Sequence, residues 1–146
     1  NHDNIADAAV MADWQNYVYA FNGKNGILMW QYNANSDNAY VLESADLNND
    51  GFFDVIYGDG NNNRYIAVYG NNGTTMYVSS QRSNEIVSMA VYDVNLDGFL
   101  DIVTGGWDNK ITAFYGNNGS IMWNFTVYSH IFHNILFHFN NVSYRL

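Results

Sequence analysis

Asp46-Leu-Asn-Asn-Asp-Gly-Phe-Phe-Asp54 and Asp93-Val-Asn-Leu-Asp-Gly-Phe-Leu-Asp101 are two copies of one loop, 47 residues apart. Both read D-x-N-x-D-G-x-x-D. Side-chain oxygens at positions 1, 3 and 5, a backbone carbonyl at position 7 and a carboxylate at position 9 suit a hard divalent cation such as Ca2+, which takes roughly six to eight oxygens. Glycine at position 6 permits the tight turn. Position 12 is Tyr57 or Thr104, where an EF-hand loop carries Glu, so the loop points to a β-scaffold instead.

A third, shorter copy opens the chain. Setting Asp7 on Asp54 and Asp101 keeps the 47-residue step and places Asn1, Asp3 and Ile5 at positions 3, 5 and 7. Asn4 then stands where the other copies have glycine. Asn visits the left-handed region more readily than most residues, so the turn is expected to survive there as a truncated or weakened site.

The repeat runs well beyond the loop. Each ninth-position Asp is followed by an apolar run: Ala8–Val10, Val55–Tyr57 or Ile102–Thr104. A polar turn and a second strand-like segment follow, ending in a Gly-rich hairpin signal: Val18–Gly26, Tyr65–Gly73 or Ile111–Gly119. Four residues past each final glycine stands an aromatic, Trp30, Tyr77 or Trp123, and a further β-type run (Tyr40–Leu42, Ile86–Met89) leads into the next loop. Short strands, frequent turn signals and no sustained 3.6-residue apolar period argue for antiparallel β-structure. Four strands in a unit of 40 to 50 residues is the signature of a β-propeller blade.

The expected fold is therefore all-β, with about three four-stranded antiparallel β-propeller-type blades of 47 residues. The divisions fall at 1–38 (half a loop and three strands), 39–85, 86–128 and a divergent 129–146. In the last segment His133–Phe139 takes the slot of a strand that precedes a loop, and Asn140–Leu146 lacks the loop carboxylates. A closed ring needs roughly four to eight blades. An incomplete propeller or a self-assembling unit is thus expected, with copies meeting through terminal strands whose open edges invite pairing.

Charge fits a metal reading. The chain of 146 residues carries 14 acidic and 5 basic residues, for a formal charge of -9, and Asp3, Asp7, Asp46, Asp50, Asp54, Asp93, Asp97 and Asp101 all fall in the three loops. Carboxylates this crowded repel one another unless a cation sits between them, so bound calcium is expected to add stability. The same charge disfavours nucleic acid, whose phosphates need a basic patch. No apolar run is long enough for a membrane-spanning helix, and no membrane insertion is expected.

The segments Ala45–Gly58 and Tyr92–Gly105 resemble FG-GAP repeats, the calcium-binding blades of integrin alpha subunits and of many secreted proteins. The resemblance implies ligands at Asp46, Asn48, Asp50 and Asp54 and at Asp93, Asn95, Asp97 and Asp101, with carbonyls from Phe52 and Phe99. It also implies a propeller that acts as an adhesive or interaction platform for a protein or glycan. The Gly-Ala-Pro signature is missing, and the chain has no proline. Val18–Trp30 and Ile111–Trp123 are similar to the repeats of quinoprotein dehydrogenases, in which a Gly-x-x-x-Trp end packs between blades. A quinone pocket needs inward Arg, Lys and Glu from a full ring of blades, so the tryptophans read as packing residues.

Calcium loops of extracellular modules bind weakly and fill where calcium is millimolar, which makes an extracellular or cell-surface setting the expectation. Four N-glycosylation sequons agree with it: Asn72-Gly-Thr, Asn118-Gly-Ser, Asn124-Phe-Thr and Asn141-Val-Ser. Asn72 and Asn118 sit at corresponding hairpin tips, and Asn124 is expected to point away from the face that carries Trp123. No catalytic constellation stands out, since every clustered Asp has a ligand explanation and Asp37, Asp59 and Asp108 read as turn residues. His130 and His133 face opposite sides of a strand. A non-enzymatic structural or adhesive module is the primary expectation, and a fragment of a propeller enzyme, quinoprotein or polysaccharide-degrading, is the alternative.

Overall fold

The computed structural model describes residues 3–12, 15–35 and 39–132. Within them the chain is all-β, in three antiparallel sheets of consecutive strands. The first holds β1 (Ala8–Ala12), β2 (Tyr17–Phe21) and β3 (Leu28–Asn33). The second holds β4 (Leu42–Ala45), β5 (Asp54–Asp59), β6 (Arg64–Val68) and β7 (Thr75–Val78). The third holds β8 (Ile86–Tyr92), β9 (Asp101–Gly106), β10 (Lys110–Phe114) and β11 (Ile121–Thr126). They are open, propeller-type blades, numbered 1 to 3 below.

Register repeats along with sequence. β1 meets β2 at Ala8↔Phe21, β5 meets β6 at Val55↔Val68, and β9 meets β10 at Ile102↔Phe114. The next pairing of each blade is interrupted at one place, between Ala20 and Phe21, Ala67 and Val68, or Ala113 and Phe114. This irregularity feeds the chain into the hairpin, where the amide of Gly26, Gly73 or Gly119 donates to the carbonyl of Asn22, Tyr69 or Tyr115 at 2.7 to 2.8 Å. These glycines hold φ of 69°, 70° and 71°, a conformation that favours residues without a Cβ.

Alternation along the strands gives the interior blade 2 two apolar faces, and the core lies between blades. Val18, Ala20 and Trp30 of blade 1 pack against Val55, Tyr57, Ile66 and Val68 of blade 2. Ile56, Tyr65 and Ala67, pointing the other way, pack against Ile86, Ile102 and Phe114 of blade 3. β5 and β9 are buried throughout, whereas β1 is half exposed because no described sheet covers its other side.

β4 begins at Leu42, later than the apolar run Tyr40–Leu42 implies. Tyr40 leaves the ladder and sets its ring 5.4 Å from that of Trp107, while the Val41 carbonyl still accepts from Gly58 at 3.0 Å. No helix of the described residues is long and apolar enough to cross a membrane.

Candidate functional site

The two full loops are built from the same hydrogen bonds. In the first, the Asp46 carboxylate accepts from the amides of Asp50 and Gly51 at 3.0 and 2.9 Å, Asn48 Oδ1 accepts from Asp50 at 3.0 Å, and Asp50 Oδ1 accepts from Phe52 at 2.8 Å. In the second, Asp93 accepts from Asp97 and Gly98 at 3.0 and 2.9 Å, Asn95 from Asp97 at 2.9 Å, and Asp97 from Phe99 at 2.9 Å. In each loop the Asn side-chain amide also donates to the position-5 carboxylate at 2.9 Å. Gly51 and Gly98 take φ of 86° and 90°. The truncated loop keeps what it can: Ile5 donates to Asp3 at 2.9 Å and Asn4 adopts φ 62°, in the left-handed region. Asn1 lies outside the described residues.

The ninth-position carboxylate also bonds backbone amides outside the turn itself. Asp54 accepts from Leu47 and from Gly70, both at 3.1 Å, and Asp101 accepts from Val94 at 3.1 Å and Gly116 at 3.2 Å. Asp7 accepts from Gly23 at 3.0 Å. The carboxylate thus ties the loop to the hairpin of its own blade. Glycine is required there, since a methyl on Gly23, Gly70 or Gly116 would stand 1.7, 1.8 or 1.6 Å from the carbonyl oxygen of Ala6, Phe53 or Leu100. The spacing of 15 or 16 residues from Asp to this glycine, present in all three units, was the available signal.

Burial separates these three carboxyls. Asp54 and Asp101 have at most 1% of their surface exposed. Burial pushes Asp54 up to about 6 against the opposing pull of the Gly70 and Leu47 amides, and raises Asp101 in the same way. Asp7 is exposed, and the Gly23 amide holds it below the ordinary carboxylate range.

The donors in each full loop fit a hard cation in type: Asp, Asn and Asp side-chain oxygens with the position-7 carbonyl in one turn. A carboxylate oxygen has two lone pairs, so the amide bonds above do not exhaust it. Among the described residues, no three Asp, Glu, His or Cys side chains are gathered closely enough to hold a metal by themselves. Each position-9 carboxylate divides its oxygens, one accepting from a loop amide, Leu47 or Val94, and the other from a hairpin amide, Gly70 or Gly116.

Adjacent blades are joined by the repeated aromatic. Trp30 Nε1 donates to the Gly70 carbonyl at 2.7 Å, and the Tyr77 hydroxyl donates to the Gly116 carbonyl at 2.5 Å. Each ring lies under the left-handed glycine of the same hairpin, where a methyl would come within 2.7 Å of the Trp30 ring or 2.9 Å of the Tyr77 ring. Trp123 departs from the expected packing: it is 41% exposed, against 9% for Trp30, because no described blade follows it.

Asn72, Asn118 and Asn124 are all exposed. Asn72 Oδ1 accepts from the amide and hydroxyl of Thr74 at 2.8 and 2.7 Å, and Asn118 Oδ1 accepts from those of Ser120 at the same distances. Asp59 caps a short 3-10 turn at 60–62 and pairs with Arg64 at 3.2 Å. Asp108 receives the buried guanidinium of Arg82, which also donates to Thr104 Oγ1 at 2.7 Å and to the Lys110 carbonyl at 2.6 Å. Burial lowers the Arg82 pKa, and Asp108 opposes it. Sequence reading assigned both aspartates to turns but missed these partners. Asp37, His133, Asn141 and the segment 133–146 fall outside the described residues.

With this geometry in hand, comparison with known proteins bears on the class. A family described as FG-GAP-like repeat matches residues 46–104, from the first residue of one loop into the strand after the next. No curated protein sequence matches the chain. Among solved structures, the computationally designed Ika4 protein is similar at 13% identity and TM-score 0.69, over 94% of this chain and 84% of that one. The computationally designed Ika8 protein gives 14% and 0.66 over 94% and 39%, and BamB from Moraxella catarrhalis gives 18% and 0.58 over 86% and 35%. At these identities the likeness speaks to fold alone. The chain is a propeller-type repeat module with an FG-GAP-like segment at its centre.

Proposed function

We propose that this chain is a calcium-stabilised, N-glycosylated extracellular propeller module with a structural or adhesive role rather than an enzyme. The observation that carries the reading is the duplicated loop, in which Asp46–Asp54 and Asp93–Asp101 repeat the same oxygen-rich turn, bond for bond. Residues with independent roles would not converge on one frame twice. Asp46, Asn48, Asp50, the Phe52 carbonyl and Asp54 are the proposed ligands of one ion, and Asp93, Asn95, Asp97, the Phe99 carbonyl and Asp101 those of the other. Asp3, Ile5 and Asp7, with Asn1, would form a weaker third site. An ion there would neutralise carboxylates clustered in a chain of charge -9 and stiffen the entry to β5 and β9.

Millimolar calcium outside cells suits loops of this kind. The exposed Asn72 and Asn118, each with its sequon hydroxyl already on Oδ1, support glycan attachment at the hairpin tips, and Asn124 offers a third described acceptor. The partner would be a protein, a glycan or another copy of the chain, met by rigid blades and their exposed edges. Nucleic acid is a poor partner for so acidic a surface.

Calorimetry with and without chelator tests the reading. For a dissociation constant near 10⁻⁴ M and roughly 1 mM calcium, each ion contributes about 1.4 kcal/mol. Two ions then raise the melting temperature by about 5–10 °C over the EDTA-treated protein, and Asp50→Ala with Asp97→Ala removes the difference. A melting curve indifferent to calcium overturns the metal assignment.

A further inference from the structure

We infer that the outward faces of blades 1 and 3 are complementary docking faces for a second copy, with Trp123 of one copy seated on the Gly23–Gly26 hairpin of the next. The inference deepens the module reading and rests on it, naming the partner and the contact. It comes from the junctions the chain makes with itself, since twice within one molecule the aromatic of a blade lies beneath the hairpin of the blade that follows.

Among the described residues, both halves of a third such junction are present and neither is covered. Trp123 stands where Trp30 and Tyr77 stand in their blades, opposite Ala113 as they stand opposite Ala20 and Ala67. Trp123 is 41% exposed, and Phe125, the counterpart of Tyr32, is 64% exposed. At the other end, the blade 1 hairpin has the turn of its two relatives, with Gly26 at φ 69° and its amide 2.7 Å from the Asn22 carbonyl. A methyl on Gly26 would meet nothing within 4 Å, whereas Gly73 and Gly119 are filled by the rings of Trp30 and Tyr77.

The surrounding face agrees. Val55, Tyr57, Ile66 and Val68 are buried under blade 1, but Val10, the blade 1 counterpart of Tyr57, is 46% exposed. Tyr19 and Phe21, counterparts of Ile66 and Val68, are only half buried. An apolar face of this kind is what blades 2 and 3 each present to the blade before them. The contact is heterologous, head to tail, and so builds rings or open arrays rather than two-fold dimers. Each copy carries a charge of -9, so added salt should strengthen the association by screening.

Sedimentation velocity on the full chain in millimolar calcium tests this. The wild type is expected at whole multiples of 16.6 kDa, growing with concentration. Trp123→Ala removes an exposed ring and leaves the folded blades alone. Gly26→Asn keeps the left-handed turn, which Asn tolerates, while placing a side chain where the ring must sit. Each variant alone is expected to be monomeric over a concentration range at least tenfold wider than the wild type. Mixed in equal amounts they form a one-to-one heterodimer, since each retains the end the other has lost. A monomeric wild type, variants that assemble like it, or a mixture that stays monomeric overturns the inference. Melting the same samples with EDTA keeps the two ideas apart: calcium dependence in a monomer sinks only the docking, and assembly without calcium dependence sinks only the metal assignment.

Discussion

The junction between blades 1 and 2 and the junction between blades 2 and 3 solve one packing problem with different residues. In the first, an indole lies under Gly73, Val68 fills the inner position, and a cavity of about 310 Å³ remains beside Trp30, bordered by Ala6, Ser44 and Phe53. In the second, a phenol lies under Gly119 and the inner position is Phe114, whose ring meets Tyr65 edge-on at 5.2 Å. What the junctions share is a donor reaching the carbonyl of the first hairpin glycine and a ring beneath the second. The backbone frame is therefore the constant, and the side chain is free to vary as long as it brings a flat ring with a polar tip.

Removing the ring is the strongest way to break that equivalence. Trp30→Ala is expected to cost about 3–5 kcal/mol by loss of buried area and the cavity left behind, read as a loss of denaturation midpoint. Trp30→Tyr should cost less than half as much if the frame is the constant, and as much as alanine if it is not.

The clamp beneath each hairpin gives the next effect. Asp54 holds Gly70, which receives Trp30, and its carboxyl is pushed to about 6 in the folded chain. The unfolded value is about 3.9, so between those two pH values the folded state holds the extra proton. Stability of the calcium-free protein should therefore fall as pH rises from about 4 to about 6, by on the order of 3 kcal/mol at most, and Asp54→Asn should flatten this slope in a pH series of urea melts. A slope unchanged by Asp54→Asn would put the titration elsewhere.

Two smaller changes sharpen the comparison. Tyr77→Phe keeps the ring under Gly119 but strips the Gly116 carbonyl of its hydroxyl partner, and should cost about 1–2 kcal/mol. Leu96 and Asn49 hold the fourth position of their loops at φ 60° and 59°, and Leu96 is 72% exposed, so it gains little from burial in return for the strain. Leu96→Asn should then stabilise by about 1 kcal/mol, raising the melting temperature by roughly 2–4 °C.

How much of this could be read in advance depends on what repeats. The loop carboxylates, the hairpin glycines and the Trp30, Tyr77 and Trp123 series all recur, and the repetition makes four strands per unit and the family likeness legible in the sequence. The bond from the ninth-position Asp to the hairpin glycine also recurs, but it joins residues in different strands, and only the fold shows them meeting. The Arg82–Asp108 pair was out of reach because blade 2 has no equivalent: Asp59 turns to Arg64 within its own β5–β6 connection. The fate of Trp123 was hidden for the opposite reason. Its sequence neighbourhood matches that of Trp30, and the difference lies in what stands across from it.

Trp30 and Tyr77 each reach the hairpin of the blade that follows, and each core cluster joins adjacent blades. Excision of residues 39–85 would bring Trp30 against Gly116 and Gly119, and duplication of the same stretch would set Tyr77 against another Gly70 and Gly73. Either change recreates a seam of familiar parts. Growth or shrinkage by whole units is thus open to this architecture.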